Sequence, residues 1–277
     1  MAQAARLIRI TPEIHEAVIC IARRAAAAIL KVYAEDFDVQ HKADNSPLTR
    51  ADLAAHDIIT EGLQRITPDV PLLSEEGPAL PWSARQQWHT YWLIDPLDGT
   101  REFVKRRGEF TVNIALVQDH QPVFGVIQAP VTGTVWHAQA GRGALRRDGQ
   151  NECVLHARAP SVCPLKVAVS RSYCDARTQA VLAQVPGCQG VPLGSSLKFC
   201  HLAEGALDVY PCLHPTNEWD TAAGQCILEA AGGALLATNG QAFRYNCREN
   251  LLNGDFIALG DASLPWRDWL TAAGQAA

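Results

Sequence analysis

The chain has 277 residues, 48% hydrophobic and 19% charged, with a formal net charge of −5. That length allows one large domain or two modest ones around an ample core, and the acidic balance gives no reason to expect a nucleic acid polymer as partner. No apolar run approaches the roughly 18 residues a membrane-spanning helix needs, and the N-terminus, MAQAARLIRITPE, lacks the apolar core of a signal peptide. The chain is therefore expected to be cytoplasmic, with a peripheral association with the inner membrane left open. Nine cysteines, at 20, 153, 163, 174, 188, 200, 212, 226 and 247, form no C-x-x-C pair, and the nine histidines lack ligand spacing. They read as reduced, mostly buried thiols and ordinary imidazoles, not as a disulfide frame or a zinc site.

Thr11-Pro12 opens a helix, with Thr11 as N-cap and Pro12 in the first helical position. Ile14, Ala17, Val18, Ile21, Ala25, Ala28, Ile29 and Val32 repeat at helical spacing on one face, and Glu35-Asp36 ends it. Lys42-Ala43-Asp44-Asn45-Ser46-Pro47 is a polar turn. A second helix begins at Thr49, with Leu53, Ile59, Leu63 and Ile66 on one side. Thr49-x-x-Asp52 has the form of a capping box, the plainer reading of Asp52. Pro71-Leu72-Leu73-Ser74 is a short strand running into Glu75-Glu76-Gly77. Adjacent acids on a loop are usually just solvated, but these stand one strand before the central feature of the chain.

That feature is Asp95-Pro96-Leu97-Asp98-Gly99-Thr100. Trp92-Leu93-Ile94 reads as a buried strand end that stops there at a turn. Asp-Pro and Asp-Gly are ordinary turn dipeptides, so a surface turn is the plain alternative. Two carboxylates three residues apart on one tight turn can also converge, and such a pair shares a proton or holds a cation. Hard oxygen ligands beside an open backbone carbonyl suit Mg²⁺.

Residues 111–117, 123–127 and 134–139 are β-rich, with connections short enough to make antiparallel neighbours. From about Leu165 the rhythm changes. Strand 165–170, helices near 178–184 and 195–204, strand 207–210, helix 219–231 and strands 234–238 and 256–259 read as a sheet covered by helices. A soft boundary falls near Ala159-Pro160. Asp220 stands in a first helical turn, where the dipole favours a carboxylate. Ala222, Ala223 and Gly224 after it let another backbone approach.

Glu75-Glu76, Asp95-Pro96-Leu97-Asp98-Gly99-Thr100 and Trp219-Asp220-x-Ala222-Ala223-Gly224 stand in this order. The combination resembles the inositol monophosphatase superfamily of Mg²⁺-dependent, lithium-sensitive phosphatases, roughly from residue 14 to 260. Within it the chain looks most like the CysQ-type 3′(2′),5′-bisphosphate nucleotidases. The fragments that carry this are Lys42 to Thr49, Leu73-Ser74-Glu75-Glu76, Arg101-Glu102-Phe103, Gly108 to Asn113 and Gly194-Ser195-Ser196-Leu197-Lys198-Phe199. Inositol monophosphatases usually have Thr-Asn-Phe in place of Arg101-Glu102-Phe103. Nucleotidases of this type often have His after Ser-Arg-Ser, where this chain has Tyr173.

The resemblance implies an α+β fold, a layered αβαβα sandwich. Residues 1–160 would form an antiparallel-rich N-terminal part, and residues 161–277 a mixed α/β part that completes the active site. It implies that Glu75, Asp95 and the Leu97 carbonyl hold one Mg²⁺ and that Asp95, Asp98 and Asp220 hold a second. A third, weaker ion would sit near Glu75 through water. Such a pair of ions can clamp the attacking and leaving oxygens of an in-line displacement. Glu75 and Thr100, the latter oriented by Asp52, would position the attacking water. Glu75, Leu97, Asp98, Gly99, Thr100, Ser195, Lys198 and Asp220 would line the substrate. The Gly99 and Thr100 amides would cradle phosphate if Thr100 starts a helix; helix capping is the plainer reading of Thr100, Ser195 and Ser196. Lys198, and after it Arg171 and Arg248, are candidates to meet a 5′-phosphate or adenine. The expected reaction is hydrolysis of 3′-phosphoadenosine 5′-phosphate (PAP) to AMP and phosphate in sulfate assimilation, with the sulfated analogue PAPS as a second substrate. The alternatives are an inositol or sugar monophosphate phosphatase and a non-catalytic nucleotide-sensing protein. A monomer or homodimer is expected.

Overall fold

The computed structural model of the protein describes residues 8–36, 38–41, 47–157, 164–172 and 175–274. Helix α1 (Pro12–Tyr33) starts as its cap requires: the Thr11 hydroxyl accepts from Ile14 N. Val18, Ile21, Ala22, Ala25 and Ile29 form its buried face. Strands β1 (Gln40–His41) and β2 (Pro47–Leu48) pair antiparallel. The polar turn between them, like Tyr173, lies outside the described residues. Helix α2 (Arg50–Ile66) packs on α1 through Ala51, Ala55, Ile59 and Leu63. This spacing of four turns the inward face away from Leu53, which is 46% exposed and not on the packed side expected for it.

The larger sheet has seven strands in sequential order. They are β3 (Leu72–Ser74), β4 (Thr90–Asp98), β5 (Thr111–Gln118), β6 (Gln121–Gln128), β7 (Val135–Gln139), β8 (Gly143–Asp148) and β9 (Asn151–Val154). β3 runs parallel to β4, and every later pair is antiparallel. Short helices α3 (Trp82–Arg85) and α4 (Thr100–Val104) flank β4. Side chains alternate across this sheet. Trp92, Ile94, Ile114 and Leu116 pack with α1 and α2, whereas Tyr91, Leu93, Ala115 and Val117 belong to the core on the other face.

The smaller sheet has the order β11-β10-β12-β14-β13. Its strands are β10 (Lys166–Ser170), β11 (Gln189–Leu193), β12 (Val209–Cys212), β13 (Ala234–Ala237) and β14 (Phe256–Leu259). It is mixed, with β10 parallel to β11 and β12 and β14 antiparallel to its neighbours. Four helices pack on it: α5 (Ala176–Leu182), α6 (Leu197–Ala203), α7 (Glu218–Ala230) and α8 (Trp266–Ala272). α6 and α7 lie between the two sheets, and α5 and α8 cover the outer face. The layers run αβαβα, the sandwich that the resemblance implied. The expected boundary at Ala159-Pro160 lies outside the described residues. The central core takes Tyr91 and Val117 from one side of it and Phe199, Ile227 and Phe256 from the other. α7 reaches the larger sheet because its neighbours are small. A Cβ on Gly125 would lie 2.8 Å from the Ala223 carbonyl oxygen, and one on Gly224 would lie 2.5 Å from the Phe199 ring. Among the described residues no helix is long and apolar enough to cross a membrane.

A polar cluster pins α1 to the sheet. His15 Nε2 and His137 Nδ1 are 2.9 Å apart, and His137 Nε2 is 3.1 Å from Glu152 Oε1. Arg147 donates to both Glu16 oxygens at 2.8 Å. Burial, helped by the neighbouring His15 and Arg147, lowers His137 from 6.5 to about 4. The fold thus favours neutral His137, while the unfolded chain takes up a proton near the ordinary value. This contribution to stability is fully present above pH 6.5 and is lost as pH falls toward about 4. Urea unfolding should show that decline, and His137→Gln should flatten it; an unchanged slope in the variant would assign the decline to other groups.

Candidate active site

Strand β4 carries one extra residue opposite β5. Asp95 pairs with Asn113 and Asp98 with Thr111, so three steps on β4 match two on β5. In a regular strand residues 95 and 97 would share a face and residue 98 would point away. The bulge instead sends Leu97 into the α1/α2 core and brings Asp98 beside Asp95. The turn expected after Ile94 is therefore a bulge in a strand that runs on to Asp98. Gly99 follows at φ 91°, and a Cβ there would stand 3.0 Å from the Glu109 carbonyl oxygen. Gly99, not Thr100, is the N-cap of α4, and Thr100 is its first helical residue.

Thr100 Oγ1 lies 3.3 Å from Asp52 Oδ1 and 3.2 Å from the Leu97 carbonyl oxygen. The other Asp52 oxygen accepts from Thr49 N at 2.8 Å and Thr49 Oγ1 at 2.7 Å. One oxygen of Asp52 thus makes the capping box, and the other lies within hydrogen-bond distance of Thr100. Asp220 follows the same plan: its Oδ2 accepts from Asn217 N at 2.7 Å and caps α7. One carboxylate oxygen from each of Asp95, Asp98 and Asp220 lies within 4.8 Å of the others. Glu75 follows β3, and its N–H donates to the Ile94 carbonyl oxygen at 3.1 Å. Its side chain shares a hydrogen bond with Asp95.

Burial, then repulsion from Glu75, Asp98 and Asp220, holds Asp95 well above the usual carboxylate range. Burial, then Asp98 and Glu75, does the same to Asp220. Burial also raises Asp98, against the pull of Lys198, Ser196 and Asn113. Buried acids this close are costly when all are ionised. Their converging hard oxygens fit a divalent cation, which removes the repulsion by ligation.

A cavity of about 450 Å³ opens over the cluster. Glu75, Asp95, Leu97, Asp98, Gly99, Thr100, Ser195, Lys198 and Asp220 all line it, and Asp52 stands behind Thr100. Tyr210, His214 and Phe256 also line it; nothing in their local sequence marks them. Lys198 is buried, donates to the Ser195 carbonyl oxygen at 2.6 Å and lies 5.2 Å from the Tyr210 ring centre. Burial lowers its pKa, with Asp98 opposing. Arg171 and Arg248 do not line the cavity. Arg171 makes a two-pronged contact with Glu109 at 2.6 Å, and Arg248 Nη2 stands 3.5 Å from Glu218 Oε1. Ser196 makes no capping bond on α6; its hydroxyl donates to Asp98. Of the seven described cysteines, Cys200, Cys212 and Cys226 are buried, Cys188 is half-buried and Cys20, Cys153 and Cys247 are exposed, so burial is less general than expected.

The sequence model of the inositol monophosphatase family matches residues 12–266. The 3′(2′),5′-bisphosphate nucleotidase CysQ of Escherichia coli (strain K12) is 46% identical over 238 residues, 85% of this chain and 95% of that protein. The CysQ nucleotidase of Aggregatibacter actinomycetemcomitans is 38% identical, over 93% of this chain and 96% of its own. The crystal structure of CysQ from Bacteroides thetaiotaomicron superposes with a TM-score of 0.78 at 38% identity, covering 89% of this chain and 97% of that one. The chain belongs to the inositol monophosphatase family, whose members are metal-dependent phosphatases. Within that family it is similar to the CysQ nucleotidases along nearly their whole length.

Asp95→Asn removes the carboxylate at the centre of the cluster. Phosphate release is expected to fall by several orders of magnitude. Near-normal turnover would show that Asp95 holds no essential cation.

Proposed function

We propose that the protein is a 3′(2′),5′-bisphosphate nucleotidase that removes the 3′-phosphate of PAP, giving AMP and phosphate, and that also accepts PAPS. The observation that carries this reading is the meeting of Glu75, Asp95, Asp98 and Asp220 in one cavity with Lys198 and the Tyr210 and Phe256 rings. One phosphate would lie at the acidic cluster through its cations. The second phosphate then calls for a cation of the protein, and the base calls for aromatic surface. The likeness to the CysQ nucleotidases supports the same substrate class.

The proposed ligands are Glu75, Asp95 and the Leu97 carbonyl for one Mg²⁺, and Asp95, Asp98 and Asp220 for a second. When bound, the ions would supply charge that acidifies a water molecule and steadies the leaving oxygen. The protein does the rest. With the Leu97 carbonyl turned to the ion, the Thr100 hydroxyl would donate to Asp52 Oδ1, 3.3 Å away, which frees a Thr100 lone pair for the water. A water that donates to Thr100 and to Glu75 is aimed by both, and Glu75 takes its proton as it attacks phosphorus; the P–O3′ bond breaks and the departing 3′-oxygen takes a proton from solvent. The backbone amides of Gly99 and Thr100 face the phosphate oxygens, and Ser195 and Lys198 hold the remote end of the nucleotide. A third ion near Glu75 is to be counted by Mn²⁺ titration. Residues 1–160 and 161–277 are proposed as two lobes that meet across this cavity.

Specificity constants for PAP and inositol 1-phosphate, measured side by side with Mg²⁺, with EDTA, and with Mg²⁺ plus Li⁺, test the reading. PAP should be preferred, with release that requires Mg²⁺ and is inhibited by Li⁺. Preference for inositol 1-phosphate would move the enzyme to the sibling substrate class. Absence of release from every phosphomonoester tested would leave a nucleotide-sensing protein. Lys198→Ala should weaken turnover of PAP more than that of simple phosphomonoesters; equal losses on both would remove Lys198 from substrate selection.

A further inference from the structure

Ser196 is only 2% exposed, and its Oγ stands where three elements meet. It is 2.7 Å from Asn113 Nδ2 on β5, it is bonded to Asp98 Oδ2 on β4, and it is 3.2 Å from the carbonyl oxygen of Asp220 on α7. Asn113 Nδ2 also lies 3.4 Å from Asp98 Oδ2. With Asp98 ionised, as ligation of a cation requires, the groups themselves set the direction of these bonds. An amide nitrogen only donates, and an ionised carboxylate only accepts. Ser196 Oγ therefore accepts from Asn113 and gives its own proton to Asp98, with the Asp220 carbonyl as the second acceptor in reach. The opposite setting of the Asn113 amide would aim its oxygen at the carboxylate. The fold keeps the productive setting although it leaves the buried Asn113 Oδ1 without a partner among the described residues.

The hydroxyl brings no net charge to the cluster. What it supplies is geometry. With Oδ2 gripped by Ser196 and Asn113, the Asp98 side chain cannot rotate without breaking both bonds. With its one proton given to Asp98, Ser196 Oγ rests 3.2 Å from the Asp220 carbonyl oxygen as a packing contact, which seats Asp98 against the first turn of α7. We propose that Ser196, itself held by Asn113, is a positioning residue for the cation shared by Asp95, Asp98 and Asp220. Neither Ser196 nor Asn113 is a ligand or a proton carrier in this role. The inference rests on the metal-dependent reading of the site.

Mn²⁺ binding in the absence of substrate is measured by titration calorimetry for the unsubstituted protein, Ser196→Ala, Ser196→Thr and Asn113→Ala. The Mg²⁺ dependence of phosphate release and the substrate KM are measured in parallel. Ser196→Ala should lose about 10- to 100-fold in Mn²⁺ affinity, the range for removing a group that orients a metal ligand. The Mg²⁺ concentration for half-maximal release should rise in step, with substrate KM unchanged. Ser196→Thr, which keeps the hydroxyl, should recover affinity. Asn113→Ala leaves the Ser196 hydroxyl in place but ungripped, should show a smaller loss, and keeps the test readable if Ser196→Ala unfolds. Unchanged Mn²⁺ affinity in both alanine variants overturns the inference while leaving the metal-dependent reading intact. A raised KM with unchanged Mn²⁺ affinity also overturns it, by making Ser196 a substrate contact. Failure of the unsubstituted protein to bind Mn²⁺ overturns both.

Discussion

Repulsion among buried carboxylates is the constraint around which this molecule is arranged. Asp95, Asp98 and Asp220 converge at the floor of the cavity, Asp95 buried and the other two half-buried, and Glu75 adds a fourth acid beside Asp95. Left alone, such a group would hold protons or swing apart. Three devices place the four acids. A bulge sets Asp95 and Asp98 on the same face. A helix cap holds Asp220 by one oxygen. A parallel strand delivers Glu75 next to Ile94. Ligation of a cation would relieve that repulsion, so the feature that burdens the metal-free fold also suits the metal dependence of the family.

The layered architecture serves the same end. The larger sheet presents its apolar alternation to α1 and α2 on one face, and on the other gives Asp95 and Asn113 to the central helices. α7 is packed between both sheets, so close to β6 that Gly125 has no room for a side chain and so close to α6 that Gly224 has none beside Phe199. The acids from β4 and the acid from α7 are thus held by rigid elements and not by loops, which is what a site needs if its ligand distances are to be reproducible.

Much of this was legible in the sequence, and the parts that were not share a cause. Thr11, Thr49 and Asp52 announced helix starts because capping is a local code. The three acidic fragments announced the site because each is a short motif. The bulge was read as a turn because Asp, Pro and Gly suit both, and only pairing with β5 separates them. Leu53 was misplaced because one apolar residue fits a helical period without being part of the packed face. β8 and β9, with little apolar alternation, left no period to read. Arg171 and Arg248 looked free because their acidic partners, Glu109 and Glu218, lie 62 and 30 positions away. The link from Asn113 to Ser196 spans 83 positions and no local pattern announces it.

The double use of Asp220 has a consequence for how this chain can vary. Its carboxylate points into the site because α7 begins where it does, with Asn217 as the cap and Asp220 in the first turn. Each residue along a helix turns the side-chain direction by about 100°. The connection from β12 to α7, residues 213–217, is therefore a ruler. Gain or loss of one residue there would either shift the helix start or rotate Asp220 off the cluster. A short, partly exposed loop that would ordinarily tolerate insertion is held to one length by an atom at its far end.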